Sequence, residues 1–355
     1  MVTLDQLKKK IAFIPKKDMI HLPTPFRKLE NLTRELGGPE IYIKRDDLTG
    51  LAFGGNKSRK LQFIIQDILE KKCDVVITWA GLQSNWCLQT AATARRFGIA
   101  PILILFKTYD LPEEYDGNLL LDYILDAEIK IVEAERGKLV KPGFADAYVE
   151  EQMEKARGKG YSPYYAPLGG SYTAGSMDKP LGAIGYVEGF VEAYEQSAAY
   201  DFEMDYIIHA TGSGGTQAGF IVGAKALGSG SKVYGISVSE GKEDFTQFVH
   251  SICLDTEQSL GLDANTTVND VYVFDEYLQE GYGIVTKEVA EILRLLAIKE
   301  GIFLDPVYTG KAMYALVDMV KKGHFQSSDK ILFYHTGGTA ALFPNKNILT
   351  GFLPR

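Results

Sequence analysis

The sequence predicts an α/β fold in which parallel sheets are flanked by helices. Three observations predict it. Short β-branched apolar runs alternate with stretches of helical periodicity along most of the chain. The runs are continuously apolar, as strands buried on both faces must be. Glycine-rich segments stand where strands hand over to helices, the junctions at which such folds gather ligands.

The elements follow in order. FGGNKSRK at 53–60 leads into an amphipathic helix with Leu61, Ile64, Ile65 and Ile68 on one side. DVVITWA at 74–80 reads as a buried strand, followed by a helix over 83–97 that Gly98 closes. A strand over 102–106, a helix over 118–126 and a strand over 129–133 come next, then a helix over 145–159 ending at Gly160. The loop-rich stretch at 161–179, YSPYYAPLGGSYTAGSMDK, is a candidate domain crossing. Beyond it lie a strand over 206–210, a helix over 216–227, a strand over 232–238, a helix over 286–299 and a strand over 330–334. There is no internal repeat.

Composition narrows the function. The chain has 355 residues, of which 46% are hydrophobic, enough for a large core or two domains. Its net charge of −8, with no basic block, argues against nucleic acid or an anionic membrane as a main partner. No apolar run approaches the roughly 20 residues of a membrane span. Cys73, Cys87 and Cys253 lie far apart, and the histidines at 21, 209, 250, 324 and 335 show no ligand spacing. Neither a disulfide framework nor a metal site is expected. The expectation is a soluble, cytoplasmic protein.

Five junctions carry candidate chemistry. Lys57 sits at a helix start, where positive charge is disfavoured, so its amine form and its nucleophilicity are favoured. The alternative is a solvated lysine after a glycine turn. GLQSN at 81–85 offers Gln83, Ser84 and Asn85 at a strand-to-helix turn, where a substrate carboxylate would meet backbone N–H groups. Ser84 or Asn85 as a plain helix cap is the competing reading. TGSGGT at 211–216 is a donor-rich loop before a helix and suits a small phosphate. It lacks the ending of a nucleotide P-loop and the spaced glycines of a dinucleotide site. DPVYTGK at 305–311 and HTGGT at 335–339 complete the set, though each alone could be an ordinary turn.

Together and in this order, with IKRDDLTG at 43–50, these segments resemble the D-cysteine desulfhydrase and 1-aminocyclopropane-1-carboxylate (ACC) deaminase family. The resemblance implies a pyridoxal 5'-phosphate (PLP) enzyme of the tryptophan-synthase-β-like fold, fold type II. It implies that Lys57 is the Schiff-base lysine and moves the α-proton. Lys60 and the loop of Gly212, Ser213, Gly214, Gly215 and Thr216 would hold the phosphate. Asn85 would meet the cofactor's phenolic oxygen, and Ser84 and Gln83 the substrate carboxylate. Tyr282 and Tyr308 would lie near the substrate and ring, Thr309 at the pyridine nitrogen, and Thr336 in the same pocket. A small domain over 56–175, inserted into a large domain of 1–55 and 176–355, and a homodimer are implied as well.

Two positions choose among reactions. ACC deaminases resemble this chain but carry Glu and Leu where it has Thr309 and Thr336. A carboxylate at the pyridine nitrogen keeps it protonated and the ring a strong electron sink, which opening a cyclopropane needs. A neutral hydroxyl suits β-elimination of a good leaving group, so D-cysteine leads. Cysteate, D-serine, 2,3-diaminopropionate, ACC deamination and non-catalytic PLP binding are the alternatives. Two departures bear on the substrate. Trp86, Cys87 and Leu88 replace the family's more polar run, as core packing or as a reshaped pocket. The stretch 171–180 is longer than the family's link.

Overall fold

The computed structural model describes residues 1–108, 115–136 and 140–352. Among these residues ten strands form two sheets: β1 Phe26–Lys28, β2 Glu40–Arg45, β3 Val75–Gly81, β4 Ala100–Lys107, β5 Glu128–Glu133, β6 Pro163–Tyr165, β7 Tyr206–Thr211, β8 Lys232–Ser237, β9 Tyr272–Phe274 and β10 Lys330–His335. One sheet runs β1-β2-β10-β7-β8-β9 and the other β5-β4-β3-β6. Every pairing is parallel except β1 with β2, a departure from the all-parallel expectation.

The expected strands are present to within two residues at their ends. Strands β1, β6 and β9 were not expected; each has three residues and lies at a sheet edge, too short to show a pattern. β6 lies inside the stretch read as loop. β2 hides its strand character behind charge: Lys44 is fully buried, and the tertiary partners Glu192 and the Thr24 carbonyl make that tolerable. The helix expected over 145–159 starts at Pro142, with proline in the first turn, and Gly160 takes φ +87° just beyond its end. Leu181–Ala198 has no apolar stripe to read because it is buried nearly all round.

Helices cover the sheets and position the site. Asn56–Glu70 lies against Leu181–Ala198, with Leu61, Ile64, Ile65 and Ile68 in the same apolar core as Ile184 and Val187. Gly185 permits that approach: a Cβ there would come 3.1 Å from the Arg59 carbonyl oxygen. Gly215–Leu227 packs beside them, while Lys287–Glu300 and Thr309–Lys321 cover the opposite face of the larger sheet. All four strands of the smaller sheet fall within residues 75–165.

The Arg59 side chain is fully buried and joins three elements. Its Nε and Nη2 donate to the two Asp46 oxygens at 2.7 and 2.8 Å, and Nη1 and Nη2 to Glu192 at 3.0 and 2.9 Å. Tyr186 donates to Asp46 at 2.7 Å, and Lys44 bonds Glu192. Burial would raise the Glu192 carboxyl, but Arg59 and Lys44 outweigh it and hold the group at about 2. A depressed carboxyl stabilises the fold above its unfolded value of about 4.5, and that contribution is lost as pH falls toward about 2. Arg59→Leu strands Asp46 without its guanidinium and should cost about 3–5 kcal/mol in urea denaturation at neutral pH. The same titration from pH 5 to about 2 should show a weaker acid-dependent loss than wild type.

Candidate active site

A cleft lies at the carboxyl ends of the strands, between Gly81 at the end of β3 and Thr211 at the end of β7. Four helices, Asn56–Glu70, Asn85–Arg96, Gly215–Leu227 and Thr309–Lys321, begin at its wall. Each presents a partially positive end, so an anion in the cleft is favoured.

Lys57 lines the cleft as the second residue of its helix, and its Nζ donates to Asn56 Oδ1 at 2.9 Å. Burial pulls its amine down to about 8, with the Asp305 carboxylate pulling the other way. Asn56 had not been singled out. It also donates to the Thr216 hydroxyl at 3.2 Å, tying the Lys57 turn to the glycine loop.

That loop delivers Gly212, Ser213, Gly214 and Thr216 to the cleft wall. Gly214 holds φ +76°, and a Cβ on Gly215 would sit 2.6 Å from the Ser171 hydroxyl, so both positions demand glycine. Ser213 and Ser171 hydroxyls meet at 2.9 Å. Lys60 and Gly215 stand just behind the lining. The Lys60 Nζ is fully enclosed without a hydrogen-bond partner among the described residues, and burial, with Lys57 nearby, pulls its pKa well below the ordinary value. An anion beside this amine would restore its charge and supply the missing hydrogen bond.

Across the cleft, Ser84 Oγ accepts from the N–H groups of Trp86 and Cys87, both at 3.1 Å. It is therefore a helix cap and also lines the cleft, so the two readings coexist. Asn85 Oδ1 accepts from Asn118 at 2.8 Å, which leaves its Nδ2 as a donor. Asn118 has no sequence signal that would have found it. Gln83 departs from expectation: its amide donates to the Asp116 carbonyl at 3.0 Å and accepts from Asn118 N–H at 2.7 Å. That amide holds the turn before helix Gly117–Ile124 and does not line the cleft.

Tyr282 and Tyr308 line the cleft from the third side, their hydroxyls 2.5 Å apart. Burial, with Tyr308 beside it, keeps the Tyr282 phenol well above its ordinary value and hence protonated. Thr336 lies in the lining as expected. Thr309 departs from expectation. It stands behind the lining, fully buried, and its hydroxyl donates to Asp305 Oδ1 at 2.6 Å while accepting from Asp305 N–H at 2.9 Å. Asp305 also accepts from the N–H groups of Val307, Tyr308 and Thr309, so its charge is spent on the helix start. DPVYTGK drew attention to this segment, but nothing in it announced that the aspartate closes on the threonine.

The two departures from the family pattern are resolved by packing. Trp86 is 2% exposed, and its Nε1 donates to the Thr78 hydroxyl at 2.7 Å; it is a core residue with one edge at the cleft. Leu88 is buried in the same helix. The stretch 171–180 starts at the glycine loop with Ser171 and then leaves the cleft: Lys71 donates to the Ser176 carbonyl at 2.5 Å and to Asp178 at 2.9 Å. Among the histidines, His209 is fully buried, with Nδ1 against the Ala210 carbonyl at 2.9 Å, and burial lowers it to about 4. No helix among the described residues is long and apolar enough to cross a membrane.

This constellation of a lysine at a helix start facing a glycine-loop anion cradle defines an enzyme that binds a phosphorylated aldehyde. Residues 18–337 match the family described as pyridoxal-phosphate dependent enzyme, and the chain belongs to that family. It is 37% identical to a D-cysteine desulfhydrase of Serratia proteamaculans over 95% of this chain and 98% of that protein. It is 38% identical to a Pyrococcus abyssi protein with a provisional ACC deaminase name, over 94% of both. A solved ACC deaminase homologue superposes with a TM-score of 0.87 at 37% identity, covering 98% of this chain and 99% of that one. The fold is tryptophan-synthase-β-like and the cofactor is pyridoxal 5'-phosphate.

The residues present fit that cofactor: the buried Lys60 amine has no hydrogen-bond partner among the described residues, and the glycine loop is a cradle that a side chain would fill. Gly215→Val should therefore weaken PLP binding by about tenfold or more, read by absorbance titration, with far-UV dichroism unchanged. Unchanged affinity would place the phosphate elsewhere.

Proposed function

We propose that this protein catalyses β-elimination from a β-substituted amino acid, with D-cysteine as substrate, giving pyruvate, sulfide and ammonia. The observation that carries this reading is the charge of the cleft lining. Among the described residues, Lys57 is its one cation and no carboxylate lines it. A sulfonate such as cysteate would find no second cation, and the extra ammonium of 2,3-diaminopropionate would find no acid. D-serine matches the lining in charge, but hydroxide leaves far less readily than hydrosulfide. Opening a cyclopropane calls for a carboxylate at the ring nitrogen, and the neutral Thr309, already committed to Asp305, does not supply one. The ACC deaminase reading stands second, favoured by the names of the Pyrococcus relative and the solved homologue.

In this reading each residue has a task. Bound PLP supplies an electron sink for the bonds at the substrate's α-carbon. Lys57 carries the cofactor and takes the α-proton, for which an amine near neutrality is suited. Lys60 and Gly212, Ser213, Gly214, Gly215 and Thr216 hold the phosphate. Asn85 would offer an Nδ2 N–H to the cofactor, and Thr309 would stand behind it. Ser84, with the start of helix Asn85–Arg96, receives the substrate carboxylate. Tyr282 and Tyr308, joined through their hydroxyls, hand a proton to the departing sulfur. Thr336 and the edge of Trp86 bound the substrate. Cleavage of the Cβ–S bond leaves an aminoacrylate, and water converts it to pyruvate and ammonia. A catalytic role, as opposed to PLP storage, is supported by these substrate-side groups, which storage would not use. The reading also takes 56–175 as the small domain that bounds one side of the cleft.

A panel of D- and L-cysteine, cysteate, D-serine and ACC tests it. D-cysteine should yield pyruvate and sulfide in equal amounts, and Ser84→Ala should raise KM with PLP retained. Efficient 2-oxobutanoate formation from ACC, with no pyruvate from any β-substituted amino acid, would sink the proposal.

A further inference from the structure

We infer that Lys311 is a positioning residue for Tyr282, tying the segment that carries this tyrosine to the helix that begins beside Tyr308. The inference rests on the reading of Tyr282 as a substrate-side group. Lys311 is fully buried in the first turn of Thr309–Lys321, and its Nζ donates to the carbonyls of Leu278 at 2.9 Å and Gly281 at 2.7 Å. Gly281 immediately precedes Tyr282 in the chain.

The segment needs such a tie. Between β9 and helix Lys287–Glu300 the backbone turns through left-handed conformations at Gln279, Gly281 and Gly283, with φ of +56°, +126° and +77°. Conformations of this kind hold only when their surroundings over-determine them. Locally the segment has short backbone bonds, Leu278 N–H to Asp275 at 3.0 Å and Gly281 N–H to Leu278 at 3.2 Å. Lys311 adds bonds across the tertiary structure. Its partner elements carry the two phenols whose hydroxyls lie 2.5 Å apart, so it sets the separation of Tyr282 from Tyr308. Tyr282 in turn rests against Gly81, 3.5 Å from where a Cβ there would be.

Packing alone does not call for a lysine. Burial pulls its amine down to about 8, and the opposing Asp305 has its oxygens occupied by the Val307, Tyr308 and Thr309 N–H groups and the Thr309 hydroxyl. A methionine would fill the space without desolvating a charge. What methionine lacks is the pair of donors to the Leu278 and Gly281 carbonyls.

The experiment compares PLP-loaded wild type with Lys311→Met and Lys311→Arg by hydrogen exchange and by D-cysteine turnover. Exchange in 275–285 should rise about tenfold in the methionine variant, with helix Asn56–Glu70 and the 212–216 loop unchanged. Its kcat should fall about tenfold while PLP affinity holds. Arginine, with donors for both carbonyls, should recover part of each loss. Should Lys311→Met not fold, Lys311→Gln takes its place in the same comparison. Unchanged exchange in 275–285 would overturn the inference. So would a rise spread over the whole chain with arginine no better than methionine, which would make Lys311 a prop of general stability. If wild type makes no pyruvate from D-cysteine, the reaction reading falls, and the exchange pattern alone decides the role of Lys311.

Discussion

The Arg59 guanidinium lies between Asp46, just past the end of β2, and Glu192, in the helix Leu181–Ala198. This fully buried ion pair fixes where helix Asn56–Glu70 begins. Lys57 and Lys60 stand on that same helix, two residues before Arg59 and one after it. Their position in the cleft is therefore inherited from a contact that faces away from it. A buried guanidinium is tolerated only when its acids are also hydrogen-bonded, and Thr24, Tyr186 and Lys44 complete that set. The rigidity this brings is what a cofactor-bearing lysine requires.

The cleft is then a problem in electrostatics. Four helix starts converge on it, and Lys57 in its lining and Lys60 behind it are drawn toward their neutral forms by burial. In the proposed reading a phosphate dianion would relieve both strains, completing the helix ends and giving Lys60 a hydrogen-bond partner. The same field leaves Lys57 close to neutrality, where an amine serves both as nucleophile and as proton carrier. Acidic groups are kept at a remove. Asp305 spends its charge on the N–H groups of Val307, Tyr308 and Thr309, and no carboxylate stands among the described residues of the lining. The tyrosine pair supplies the other proton-handling groups of the cleft. Its geometry depends on two chain segments far apart in sequence.

Local patterns were legible because a strand-to-loop-to-helix junction is written in contiguous residues. Leu61, Ile64, Ile65 and Ile68 announced a helix face, and GGNK, QSN and GSGGT announced its functional ends. Elements without a contiguous pattern were not legible. The edge strands β1, β6 and β9 are three residues long, and Leu181–Ala198 is buried nearly all round. Gln83 and Thr309 were placed in the site by their motifs, yet their polar groups are taken by Asp116, Asn118 and Asp305. A motif shows which groups are near a site, but it does not show which of them are already satisfied.

The sequence by itself determined the class of fold, through strand and helix patterns that alternate along the chain, and it marked Lys57 and the 211–216 loop as candidates because each motif is written in contiguous residues. The tertiary structure decided which polar groups remain free to act. It buried Lys44, Arg59 and Lys311 beside their partners, made Ser84 a cap as well as a cleft residue, and turned Trp86 into the core. It also left the cleft lining with a single cation among the described residues. Hydrogen-bond satisfaction is a property of the whole packed chain, since each donor can be claimed by an acceptor many residues away. That is why the chemistry of Lys57 could be read along the chain, while the selection of its substrate depends on the assembled cleft.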